Sequence, residues 1–149
     1  VTEIDFHFNM PDKLDYACRL LRKAVGGKGA CLVVRGDAES LEVIDSALWS
    51  LWPTEFVAHC KADADPQVLA RSPVVLCEIE AAGGSAAPLP HQQVLVNLGS
   101  SLPEGFERFE RLIELVGSEE NDRSEGRRRW RHYADRGYAI KRHDFASSR

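Results

Sequence analysis

Ala30-Cys31-Leu32-Val33-Val34, followed by Arg35-Gly36-Asp37, is the stretch on which the fold turns. Five apolar residues in a row leave no polar face, so the run suits a strand covered on both sides of a sheet. Asp37 then stands where a helix cap is wanted, and Leu41, Ile44, Leu48 and Leu51 recur on the inner side of the helix it opens. A doubly covered strand running into an amphipathic helix is the repeating unit of an α/β domain.

The flanking segments extend that unit. Glu3 to Phe8 sets Ile4, Phe6 and Phe8 on one face of a strand, with a turn signalled by Asn9 and Pro11. Pro11 opens a helix whose apolar positions are Leu14, Ala17, Cys18, Leu21 and Val25, and Gly26 and Gly27 are expected to end it. Pro53 closes the second helix, Phe56 to Ala58 gives a short strand, and Asp63 to Pro66 marks a turn. Val74 to Ile79 and Val94 to Leu98 are two more apolar strands, separated by the small-residue run from Ala81 to Pro90, which reads as a surface loop.

Ser101 looks like an N-cap, with Pro103 and Glu104 just inside a helix that buries Phe106, Phe109, Ile113 and Val116 and stops at Gly117. An acidic turn from Glu119 to Asp122 precedes a last helix, Ser124 to Arg136, ended by Gly137, and Tyr138 to Phe145 makes a closing strand. The order predicts a single three-layer α/β domain over residues 1–149 with a mostly parallel central sheet.

Composition supports one domain: 149 residues, 44% hydrophobic and 28% charged, suffice for one core without disulfide staples. Cys18, Cys31, Cys60 and Cys77 are widely spaced in mostly apolar segments, as for buried thiols of a cytosolic protein. Neither their spacing nor the five histidines, which form no HExxH, matches a zinc motif, so no metal site is expected. No apolar run reaches the about 20 residues of a membrane span, and the cytoplasm is the expected address.

The formal net charge is -4, but its distribution is uneven. Residues 127–142 hold seven positives and one negative, a local +6, and the other 133 residues carry -10. Arg127 and Arg131 share a face of the last helix, Trp130 and Tyr133 lie on a neighbouring stripe, and Lys141 and Arg142 continue the basic run in another element. Like charge in two elements implies a patch. Arginine forks beside an aromatic wall suit an acidic peptide with an aromatic end. Trp130 and Tyr133 are equally readable as that helix's core face, with the arginines solvated opposite. Trp49 and Trp52, near Pro53 and Phe56, are candidates either for an exposed groove or for the lid of the core.

Other chemistries find little support. Gly26-Gly27-Lys28-Gly29 follows a helix and precedes a strand, the reverse of a phosphate-binding loop, and lacks its spacing. Asp5, His7, Glu78, Glu80 and His91 could meet at strand ends, but no nucleophile elbow accompanies them, so an enzyme is not expected. Duplex nucleic acid is disfavoured by the -10 outside the patch, and direct binding of single-stranded nucleic acid through the basic helix is the alternative to a peptide.

Several residues carry a family resemblance. Phe6 and Phe8 in the first strand, Ala47-Leu48-Trp49, Phe56-Val57-Ala58-His59, Val94-Leu95-Val96-Asn97-Leu98, Arg129-Trp130-Arg131-His132-Tyr133 and Gly137-Tyr138 occur in an order that resembles the chi subunit of bacterial DNA polymerase III. The resemblance spans nearly the whole chain. It implies a non-catalytic domain similar to nucleotide-binding folds but without a nucleotide site, and without a cofactor. Its implied partners are the psi subunit, through which it joins the clamp loader, and the acidic C-terminal tail of single-stranded-DNA-binding protein, which ends in Pro-Phe. DNA contact would be indirect and the isolated chain a monomer.

Carried over by position, the tail-binding residues are Arg123, Arg127, Trp130, Arg131 and Arg142, beside the aromatic Tyr133, with Trp49, Phe56 and Val57 lining an apolar part. Trp130 stands where the family has a tyrosine, Arg131 where it has a lysine and Ala58 where it has a proline.

Overall fold

The structure is a computed structural model, and it describes residues 2–28, 31–50, 59–61, 67, 72–78, 93–99 and 106–144. Among the described residues seven strands form one sheet: β1 (Glu3–Met10), β2 (Leu32–Gly36), β3 (His59–Lys61), β4 (Val74–Glu78), β5 (Val94–Asn97), β6 (Arg111–Gly117) and β7 (Ile140–Asp144). Their spatial order is β3-β4-β2-β5-β6-β1-β7, and every described ladder is parallel. Helices α1 (Lys13–Lys28), α2 (Ala38–Ser50) and α3 (Glu120–Asp135) cover it.

The expected doubly covered strand sits near the middle of this sheet. Leu32 and Val34 enter an apolar cluster with Ala17, Cys18 and Leu21 of α1 and Leu41, Ile44 and Leu48 of α2, while Val33 enters a second cluster with Phe106, Phe109 and Tyr133 on the opposite face. Side chains alternate across a strand, so a run buried on both faces must be continuously apolar. The result is the expected three layers, α1 and α2 on one side and α3 on the other. Asp37 caps α2 as read, its Oδ1 accepting from the Ser40 N–H at 2.7 Å.

The helix expected from Pro103 to Val116 does not form over its described part. Phe106–Arg108 is one 3-10 turn, and Arg111–Gly117 is β6. Spacings of three and four between Phe106, Phe109, Ile113 and Val116 satisfied a helical stripe, yet Leu112 to Gly117 is buried throughout, and pairing with β1 and β5 uses its backbone on both edges. Only a strand buries every residue of such a run in a sheet.

Smaller differences lie at element ends. Helix α1 continues through Gly26 and Gly27 to Lys28. Helix α3 begins at Glu120, so the acidic turn supplies its first turn, where carboxylates face the positive end of the helix dipole. Gly137, at φ 84, ends the neighbourhood of that helix as expected. Strand β1 runs on past Phe8, but Asn9 takes φ 67 and the pairing with β6 slips between Phe8 and Met10. This bulge returns Met10 to the α1 side and presents Asn9 beside Phe8. The strand expected at Phe56 to Ala58, Pro53, Leu51, the Asp63 to Pro66 turn and the Ala81 to Pro90 loop lie outside the described residues, which hold β3 at His59–Lys61. Among the described residues no helix is long and apolar enough to cross a membrane.

Candidate functional site

Helix α3 lies on the β6-β1-β7 end of the sheet, and a close approach sets its position. A Cβ on Gly126 would come within 2.9 Å of Val116 Cγ2, so only glycine lets the helix backbone rest on β6 there. The next turns of the helix then face the sheet with alternating chemistry.

Inward, Glu114 of β6 is completely buried and gathers three donors. Its Oε1 accepts from Arg129 Nε at 3.0 Å and from Asn97 Nδ2 at 2.9 Å, and its Oε2 from the Tyr133 hydroxyl at 2.5 Å. Arg35 Nη1 in turn donates to Asn97 Oδ1 at 3.0 Å, joining β2 to the network. Burial pushes the Glu114 carboxyl above its ordinary range, and the Arg129 charge and the three hydrogen bonds pull against that. The Tyr133 hydroxyl is also pushed up, by burial first and by the Glu114 carboxylate beside it.

Two residues of the basic aromatic segment therefore face the core. Tyr133, expected among the surface contacts, has no exposed area, because its hydroxyl is needed by a buried carboxylate and its ring packs on Phe6 and Phe106. Arg129, counted with the patch, is 2% exposed.

Outward, the same helix borders a hollow of about 610 Å³. Arg123, Arg127, Trp130 and Arg131 come from α3, Phe6, Phe8 and Asn9 from β1, and Arg142 from β7. The parallel pairing of β1 with β7 puts Arg142 opposite Phe6, which aims its side chain to the same face. Its guanidinium lies 5.6 Å from the Trp130 ring centroid and 5.8 Å from that of Phe8, a stacked cation over an aromatic floor. Trp130 packs against Phe6 with centroids 5.1 Å apart, so the indole is both core edge and wall, and the two readings of that stripe divide between Tyr133 and Trp130.

The cations around the rim are lightly held. Arg123 and Arg127 share Glu120 at 3.8 and 3.6 Å, with all three side chains substantially exposed. Such pairs contribute about 0–1 kcal/mol, so an incoming carboxylate exchanges with them readily. Among the described residues Arg131 is exposed and has no ion pair. The arrangement is a cationic rim around an apolar floor, with the chemistry to suit a carboxylate joined to an aromatic or aliphatic group.

Of the nine candidate residues, the structure brings Arg123, Arg127, Trp130, Arg131 and Arg142 to this one hollow and puts Tyr133 beneath it. Trp49 falls in α2, where only its backbone is described, and Phe56 and Val57 lie outside the described residues, as does Trp52. Sequence reading missed Asn9 as a lining residue. Its only sequence signal is the tolerance of asparagine for positive φ, which is general to turns.

The family model described as "DNA polymerase III chi subunit, HolC" matches residues 1–141. The DNA polymerase III subunit chi of Pseudomonas aeruginosa is 31% identical over 148 residues, which cover 96% of this chain and 96% of that protein.

Proposed function

The chain belongs to the DNA polymerase III chi subunit family, and from that premise we propose that it acts in DNA replication as a non-catalytic adaptor, holding the acidic C-terminal tail of single-stranded-DNA-binding protein in the arginine-rimmed hollow. The observation that carries this reading is the convergence of Arg123, Arg127, Arg131 and Arg142 around Phe6, Phe8 and Trp130. The terminal carboxylate pairs with Arg131 or Arg127, the aspartates of the tail meet the remaining cations, and the terminal phenyl ring enters against the aromatic floor. Tyr133 acts from below, holding the helix that carries the rim. The psi subunit, the link to the clamp loader, is taken as a second partner on family membership, with no residue of this chain assigned to it.

An adaptor of this kind makes and breaks no bond. It joins two modest affinities, and simultaneous engagement raises avidity by about 10² to 10⁴. Contacts that are individually weak also release quickly, which suits a polymerase assembly moving along coated DNA in the bacterial cytoplasm.

The test is a titration of the chain with a synthetic tail peptide ending in a free carboxylate, beside the same peptide amidated at its C-terminus and a single-stranded oligonucleotide. Saturable binding of the free-acid peptide, weakened by amidation and by raising salt from about 0.05 to about 0.3 M, is expected. Equal binding of both peptides, or binding of the oligonucleotide alone, overturns the reading, and the latter supports the direct nucleic-acid module instead.

A further inference from the structure

The pairing that brings Arg142 to one face of the sheet brings a different set of side chains to the other. In the β1-β7 ladder His7 lies opposite His143, and Asp5 precedes His7 by two on the same face. The two imidazole centroids are 4.4 Å apart, and one donor atom from each histidine and a carboxylate oxygen of Asp5 all lie within 4.8 Å of one another. We propose that Asp5, His7 and His143 bind a divalent transition-metal ion of the zinc type on the α1 side of the sheet.

The carboxylate supplies the second observation. Asp5 is 2% exposed, and Arg111 Nη2 takes its Oδ2 at 2.9 Å. Its Oδ1 is buried with no hydrogen-bond partner among the described residues. Buried carboxylate oxygens are almost always satisfied, and a cation held jointly with two imidazoles satisfies this one. His7 is also oriented as metal-binding histidines are, since its Nδ1 shares a hydrogen bond with the Tyr16 hydroxyl of α1.

The donor set selects the ion. Two imidazoles and one carboxylate favour zinc and its late first-row neighbours over magnesium or calcium, which prefer all-oxygen shells. Tetrahedral zinc holds such donors at about 2.0–2.2 Å, which spaces them about 3.4 Å from each other. His143 is exposed on the edge strand, so a turn of its side chain closes the set around the ion. The bound ion then clips β7 to β1, fixing the strand that carries Arg142 on its other face.

The experiment uses the full chain, free of any affinity tag and stripped of metal. Calorimetric titration with ZnCl2 is expected to show one ion per chain, with binding at least about tenfold weaker in His143→Ala, an exposed position whose replacement leaves the fold intact. The unfolding temperature is expected to rise with zinc in the parent and not in His143→Ala. Because Cys18, Cys31 and Cys77 are thiols, CoCl2 is used as a spectroscopic probe, and only weak visible bands without a thiolate charge-transfer band are expected. No saturable binding up to about 1 mM zinc, undiminished binding in His143→Ala, or a thiolate band overturns the proposal.

Discussion

The inner and outer sides of α3 carry the same residue type with opposite fates. Arg129 faces inward, 2% exposed, and locks onto a completely buried carboxylate, while Arg127 and Arg131, on either side of it, stand in solvent around a hollow. Inside, removing one partner strands a charge with no water to screen it. Outside, solvent surrounds both cations and Glu120 holds Arg127 only weakly, so they are available to a ligand. A dense arginine run is therefore two devices, one structural and one that we propose is for binding, and they should separate under mutation.

Arg129→Ala is the hardest blow to the inner device. It leaves Glu114 without its counter-charge and is expected to destabilise the chain by about 3–5 kcal/mol in urea unfolding. A loss below about 1 kcal/mol would mean that Arg129 is interchangeable with its exposed neighbours and would erase the contrast. Tyr133→Phe removes one donor to the same carboxylate and should lower stability by about 1–3 kcal/mol. Peptide affinity measured under folding conditions should stay unchanged, because the hydroxyl lies beneath the hollow.

On the outer side the pattern reverses. Arg131→Ala should weaken the tail peptide by about 1–3 kcal/mol while leaving the unfolding midpoint where it was. Unchanged affinity would remove Arg131 from the rim. Gly126→Ala tests the spacing between the two devices. The added methyl meets the branched Val116 side chain, and the overpacking of about 1–3 kcal/mol exceeds the gain of just under 1 kcal/mol in helix propensity. A net loss of up to about 2 kcal/mol is expected, and raised stability would show that α3 can ride higher on β6. Arg128→Ala is the quiet end of the series: Arg128 is exposed and paired with Glu125 at 3.8 Å, so both stability and affinity should move by less than about 0.5 kcal/mol.

Much of this was legible in the sequence, and the failures share a cause. The continuous apolar run at Leu32 to Val34 and the Asp37 cap announced a parallel α/β sheet because both signals are local. The segment from Phe106 to Val116 misled because its apolar spacing fits a helix, whereas the decision between helix and strand was made by neighbours far along the chain. That error hid the role of Arg129, since its partner Glu114 lies in the misassigned element. The charge asymmetry did point to the rim, because like-charged residues gathered at one end of a chain with net charge -4 are informative without coordinates. The pairing of His7 with His143 had no such signal: two histidines at opposite ends of the sequence meet only through the β1-β7 ladder, so the expectation of no metal site came from motif spacing alone.

The position of β1 reaches beyond statics into how the protein is made. This strand emerges from the ribosome before every other described element, yet both of its neighbours, β6 and β7, follow all the other described strands. Its pairing has to wait until Arg111–Gly117 and Ile140–Asp144 have been made, a slow, non-local closure of the kind that delays folding. Phe6 and Phe8 share the hollow with Arg142 only after that closure. A product that stops short of β7 consequently lacks Arg142 and with it one wall of the hollow.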